Sequence, residues 1–184
     1  MPLSFHPLTE GEARDILDWH YPSPYDIYDA PPDRAQASLR SLLDPANAYF
    51  GISNMQGELQ AFCCFGPDAR VPGGDYSTEA LDVGLGLRPD LAGQGRGSEF
   101  VQALLDFASG EFLPAAFRVT VAQFNERALR VWEKAGFVRC RAFRRDRDGL
   151  AFALLVKDSE AQSSCGSACS GDTSGELGCR RAAR

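Results

Sequence analysis

The apolar positions of this chain change period repeatedly, and the changes divide it into alternating strands and helices. Ser4 to Leu8 reads as a first strand, and Thr9 with Glu12 forms a capping box that opens a helix running to about Trp19. A second helix is expected over Asp33 to Leu43. Tyr49 to Ser53 and Glu58 to Phe65, joined by Asn54 to Gly57, predict an antiparallel hairpin, and Gly66 to Glu79 reads as a loop rich in Gly and Pro. A strand over Leu81 to Leu87 then runs through a glycine-rich turn into a helix opening near Ser98. That helix has one apolar stripe, because Phe100, Val101, Leu104, Leu105 and Ala108 recur at three- and four-residue intervals. Phe117, Val119 and Val121 alternate as another strand. Asn125 is the expected N-cap of a short helix lined by Ala128, Leu129, Val131 and Trp132 and ended by Gly136. Val138 to Arg144 and Leu150 to Lys157 read as two closing strands. From Asp158 onward large apolar residues almost vanish, so the expected organisation is one domain over 1–157 and a disordered Ser-, Gly- and Cys-containing tail over 158–184.

The glycine-rich turn carries the first chemical signal. Gly93, Gly95 and Gly97 lack the Cβ atoms that would hold a ligand off the backbone, and the helix after them presents unpaired N–H groups at the positive end of its dipole. An anion is expected there. Two familiar glycine motifs do not fit: no Lys followed by Ser or Thr comes after the last glycine, and the alternate spacing differs from the dinucleotide fingerprint. A turn that uses glycine only for packing is the remaining alternative.

A second segment, Phe117 to Phe137, changes the weight of these readings. Leu87-Arg88-Pro89 leads into Ala92-Gly93-Gln94-Gly95-Arg96-Gly97, and Asn125 to Phe137 follows the pattern N-x-x-A-x-x-x-(aromatic)-x-K-x-G-F with Trp132 at the aromatic position. In this order and spacing the two motifs resemble the GCN5-related N-acetyltransferase superfamily. The resemblance implies an α/β (α+β) fold with a central, mostly antiparallel twisted sheet flanked by helices. It also implies acetyl-CoA as cosubstrate, with pyrophosphate on the backbone N–H groups of Gly93, Gln94, Gly95, Arg96, Gly97 and Ser98. The pantetheine arm would lie along Leu85 and Leu87, and Asn125 would join the cofactor site. The acceptor amine would then attack the thioester directly in a ternary complex, without an acyl-enzyme.

Two positions depart from the family pattern. Ala92 stands where the loop usually begins with Arg or Gln, which removes a side chain and leaves the backbone donors. Trp132 stands where many members place a tyrosine that protonates the departing thiolate, and an indole N–H has no useful acidity near neutral pH. Asp82 falls where many members carry a glutamate facing the acceptor, so it is the candidate base, with Glu79 in reserve; a solvated strand-end carboxylate is the other reading of Asp82.

Composition places these motifs in a soluble protein of one domain. The 184 residues are 44% hydrophobic and carry a formal charge of −6, which argues against general nucleic-acid binding. Arg139, Arg141, Arg144, Arg145 and Arg147 form a local basic run, read as a solvated edge or a contact for a CoA phosphate. No charged leader or long apolar run occurs, so a cytoplasmic, non-membrane protein, monomeric or homodimeric, is expected. Cys63, Cys64 and Cys140 read as buried free thiols, while Cys165, Cys169 and Cys179 lie in the tail without metal-site spacing, so no metal is expected. His6 and His20 read as structural. Trp19, Tyr21, Tyr25 and Tyr28 with Asp26, Asp29 and Asp33 concentrate groups that attract an ammonium, or that pin a proline-rich loop. The acceptor is accordingly a small-molecule amine or a peptide or protein amine, and a non-catalytic acyl-CoA-binding module is the alternative; a scaffold for a tail-borne interaction is a third.

Overall fold

Seven strands form one sheet in the computed structural model, which describes residues 2–159. They are β1 (Ser4–Pro7), β2 (Tyr49–Ser53), β3 (Leu59–Phe65), β4 (Leu81–Leu87), β5 (Ala116–Ala122), β6 (Val138–Arg144) and β7 (Ala151–Asp158), in the order β1-β2-β3-β4-β5-β7-β6. Every neighbouring pair is antiparallel except β4 and β5. The crossover between those two is α3 (Gly97–Phe112), and the other helices are α1 (Glu10–Leu17), α2 (Ala35–Leu43) and α4 (Glu126–Lys134). This is the expected mixed, mostly antiparallel sheet with flanking helices.

Alternation along the central strands separates two layers. Val83, Val119 and Val121 point to one face, where they pack with Phe100, Val101, Leu104 and Leu105 of α3 and Leu129 and Trp132 of α4. An aromatic stack extends this layer, with Phe5 and Phe107 rings 4.5 Å apart. On the opposite face, Ala13 and Ile16 of α1 and Leu42 of α2 cover Phe62, Tyr49 and Trp19. Asp82, Gly84 and Gly86 belong to this second face.

The element boundaries follow local chemistry. The capping box is present: Thr9 Oγ1 accepts from the Glu12 N–H and the Glu12 carboxylate from the Thr9 N–H. α1 ends at Leu17, short of Trp19, because the Asp18 N–H closes the last turn. α2 starts at Ala35, since a 3-10 turn over Pro32–Arg34 takes the residues expected to open it. Cys63 and Cys64 are buried, whereas Cys140 is exposed, contrary to expectation. β6 is the sheet's outer strand, and its pairing with β7 skips Cys140 between Arg139 and Arg141, a bulge that turns this thiol outward. The tail expected from Asp158 falls on 160–184, outside the described residues. Asp158 itself ends β7, and the Ser159 N–H donates to Ala115 O at 2.9 Å.

Candidate active site

The central feature is a parting of two parallel strands. Among the described residues, β4 pairs with β5 only over Leu81 to Val83 against Phe117 to Val119. Beyond that rung, Gly84 to Leu87 and Thr120 to Ala122 diverge. Arg88 N–H donates to Gln60 O and Gly66 N–H to Asp82 O, so even-numbered residues of β4 turn their backbone groups toward β3. The N–H and C=O groups of Leu85 and Leu87 therefore face the gap, and a polar extended chain can lie there as an added strand.

The glycine loop stands at the wide end of this gap. Gly93 and Gly95 adopt φ of 83° and 81°, a left-handed backbone that favours glycine. A Cβ on Gly95 would meet nothing within 4 Å, so its surface is open to a ligand. Gly97 serves packing instead: a Cβ there would stand 3.0 Å from Val131 of α4. No side chain caps α3; the Glu99 N–H turns back to Arg96 O at 3.0 Å, and those of Gly97 and Ser98 remain available. Around this loop Arg88 is tied to Asp90 at 2.7 and 3.1 Å, Arg96 to Glu99 at 3.0 Å, and Gln94 Nε2 to Asp90 O at 2.6 Å. Arg127 has no carboxylate partner among the described residues. Its guanidinium lies against Gly93 and 4.0 Å from the centre of the Tyr25 ring.

At the closed end of the gap the structure revises the expected base. Asp82 is 2% exposed and accepts from Arg118 Nε and Nη2 at 2.6 and 2.8 Å and from Arg70 Nε at 2.6 Å. Those hydrogen bonds push the Arg118 pKa up. With both oxygens held by guanidinium groups, Asp82 is a buried ion-pair anchor, neither a base presented to an amine nor a solvated carboxylate. Beside it Cys64, Ala69 and the Phe62 ring occupy the space that a Cβ on Gly84 or Gly86 would take. Glu79 lies at the other end of β4 from the glycine loop, in a surface cavity of about 480 Å³ lined by Thr78, Ala116, Arg118 and Val156 among others.

Trp132, too, is placed differently from the expected thiolate-side position. It is 4% exposed and packs edge-on against Phe137 at 5.0 Å, inside the α3–α4 core. Asn125 caps α4, its Oδ1 accepting from Ala128 N–H at 3.1 Å and its Nδ2 donating to Tyr28 Oη at 3.2 Å. The aromatic segment is a strap. Tyr21 donates to Leu87 O at 2.7 Å on one strand while Tyr28 meets Asn125 just past the other. Burial pushes the Tyr21 pKa up, so it stays a donor. Asp29 is engaged by Tyr21 N–H at 3.0 Å and His20 at 3.1 Å, and the Tyr25 face by Arg127. Of the two readings of this segment, loop pinning is the one these contacts describe.

Several site residues escaped the sequence reading. Arg70, Tyr76 and Arg118 come from a loop and a strand with no motif, and only the structure brings them to Asp82. The Tyr76 hydroxyl accepts from Val71 N–H at 2.8 Å and lies 3.0 Å from Thr120 Oγ1, on the part of β5 that has left β4. The basic run on β6 and the turn after it is largely neutralised, with Arg139 on Glu133, Arg141 on Asp75 and both Arg145 and Arg147 on Asp148. Among the described residues no group of His, Cys, Asp and Glu could hold a metal ion, and no helix is long and apolar enough to cross a membrane.

Parted parallel strands joined by a glycine loop and a helix N-terminus define the class of fold, and a family comparison identifies it. The chain belongs to the acetyltransferase (GNAT) family, whose model matches residues 13–137. A comparison with curated protein sequences finds no match. Among solved structures the chain is similar to aminoglycoside acetyltransferase AAC(6')-Ib in complex with coenzyme A, at 17% identity and a TM-score of 0.68, covering 87% of this chain and 96% of that one. It is also similar to a GNAT-family acetyltransferase from Bacillus anthracis, with 14% identity, a TM-score of 0.65, and 85% and 94% of the two chains covered. A chimera of the Vibrio cholerae spermidine N-acetyltransferase SpeG with hSSAT gives 17% identity, a TM-score of 0.61, and 85% and 95% coverage. At these identities the likeness is one of fold.

Proposed function

We propose that the protein transfers an acetyl group from acetyl-CoA to a primary amine, by direct attack in a ternary complex. The observation that carries this reading is the gap between β4 and β5, with the backbone groups of Leu85 and Leu87 turned into it and the open surface of Gly95 at its mouth. These features fit the group: an extended amide-bearing arm suits the strand edge, and a pyrophosphate suits the uncapped N–H groups from Gly93 to Ser98. Bound acetyl-CoA would supply an activated thioester. Arg127, steadied on Tyr25, contributes the positive charge that Ala92 does not.

The chain's own residues then have two tasks. Leu85 and Leu87 orient the arm, and Tyr21 holds the Leu87 carbonyl so that the end of the strand keeps its line. For the proton, the Tyr76–Thr120 hydroxyl pair is the candidate relay, because a neutral phenol can give its own proton to the departing thiolate while it is reprotonated, through Thr120 or solvent, with the proton the attacking amine loses. Asp82 and Trp132 act through position and packing, and Glu79 carries no assigned step.

Calorimetric titration of CoA, followed by a screen of amines with acetyl-CoA, tests the reading. Micromolar binding with turnover of at least one amine is expected. Binding without turnover of any amine leaves the acyl-CoA-binding module instead, and absence of binding removes both.

A further inference from the structure

Two positive charges and one negative charge meet on the α1–α2 face where β4 and β5 part. Arg118 is spent within the fold: it is 3% exposed, chelates Asp82 and donates from Nη1 to Thr78 O at 2.8 Å. Arg70 is not. Only its Nε is bonded, to Asp82, its side chain is 39% exposed, and neither Nη atom has a hydrogen-bond partner among the described residues. Asp68, two positions earlier, forms no ion pair with it; its Oδ2 accepts from Ser41 at 3.0 Å and Tyr49 at 2.9 Å. The Tyr76 ring lies against both guanidinium groups, 5.3 Å from Arg70 and 4.9 Å from Arg118, which fixes the plane of the Arg70 fork. The same tyrosine reaches Thr120, so this fork stands beside the gap.

Two of the groups expected to attract a cation are, by contrast, already engaged within the fold. Arg127 covers Tyr25, and Asp29 holds His20 and the Tyr21 N–H. We infer that the acceptor amine also carries a carboxylate, as an amino acid or short peptide does, and that Arg70 anchors this carboxylate through its two free Nη groups. A planar guanidinium with two parallel N–H donors matches a carboxylate in geometry as well as charge. The inference rests on the acetyltransferase reading and names the substrate class of that site.

The full-length protein is given acetyl-CoA and matched acceptors: L-amino acids and dipeptides, each beside its C-terminal amide, with spermidine as a purely cationic arm. The acids are expected to exceed their amides in kcat/KM by about 10- to 100-fold, the value of a charge-assisted contact. Arg70→Gln should erase that ratio through KM, Arg70→Lys should restore part of it, and CoA binding by calorimetry should not change. Saturation-transfer NMR of the preferred acid in the presence of CoA gives a readout independent of turnover, and loss of its signal in Arg70→Gln supports the anchor. If Arg70→Gln does not fold, the acid-to-amide ratio of the wild type decides alone. Equal use of acids and amides, preference for spermidine, or equal losses on both in Arg70→Gln overturns the inference. Should no amine turn over while the acid still binds in an Arg70-dependent way, the acetyltransferase reading fails and the anion site stands.

Discussion

Arg118 and Asp82 join β5 to β4 through a two-pronged, buried ion pair, one residue before pairing between the strands ends. The position explains the architecture of the gap: parallel strands that separate need a strong tie at the last point where they meet. Breaking a buried pair leaves a guanidinium without its counter-charge, which costs about 3–5 kcal/mol.

Asp82→Asn should therefore act on stability. In a protein of this size that cost corresponds to a fall of roughly 6–20 °C in melting temperature. The fraction that remains folded should keep the wild-type pH profile of turnover. A variant that melts normally yet loses activity at neutral pH and regains it at high pH would return Asp82 to the role of base.

Gly95 and Gly97 are separated by the space around them. Gly95→Val introduces side-chain atoms on the open face of the loop, at a φ of 81° that valine resists, and should weaken CoA binding at least about tenfold. Gly97→Val drives its side chain into Val131 and should cost about 1–3 kcal/mol of stability, with binding lost only as far as α3 is displaced. Calorimetry and thermal melts on both variants check the division. Equal binding by wild type and Gly95→Val would end the claim that this surface receives a phosphate.

How much of this was legible depends on the range of each interaction. The strand–glycine–helix segment and the capped helix from Asn125 are local patterns, so their positions follow from spacing, while the mixed sheet was implied by the resemblance those patterns carry. The resemblance, not the local pattern, pointed to Leu85 and Leu87. Local logic fails where a role depends on a partner distant in sequence. Asp82 reads as a free strand carboxylate until Arg118, 36 positions later, and Arg70 arrive. The space beside Gly84 and Gly86 is likewise filled by residues distant in sequence, Cys64 and the Phe62 ring. Trp132 kept its motif position, yet the core took the side chain because a large apolar surface gains more from burial than from lining a wet gap.

The cysteines give a chemical check on the two environments. Burial pushes the Cys64 pKa up to about 12, and the Cys63 pKa is raised by the same cause. Both remain thiols well above neutral pH, and thiols alkylate slowly. Cys140, exposed on the bulge, should react with iodoacetamide at pH 8 while Cys63 and Cys64 stay unmodified until the protein unfolds. Peptide mass mapping separates them from the cysteines at 165, 169 and 179. Rapid native labelling of Cys63 would contradict the packing of β3 against β4.

Tyr76 offers the sharpest test of the proton path. Its ring sits between Arg70 and Arg118 and its hydroxyl touches Thr120, so Tyr76→Phe keeps the ring that orients the guanidinium groups and removes only the hydroxyl. Loss of the hydrogen bonds to Val71 and Thr120 should cost about 1 kcal/mol each in stability, too little to unfold the domain. CoA affinity should stay at the wild-type value, since the loop from Gly93 to Ser98 is untouched. Turnover should fall about a hundredfold or more, the usual contribution of a positioned proton carrier. Thr120→Ser, which retains a hydroxyl, should fall less than Thr120→Val. The loss should shrink as the pH rises and the acceptor reaches the site already deprotonated. Measured kcat and its pH profile decide the matter: if Tyr76→Phe turns over a verified acceptor at the wild-type rate across that range, the proton moves through solvent alone and the hydroxyl pair has only a structural role.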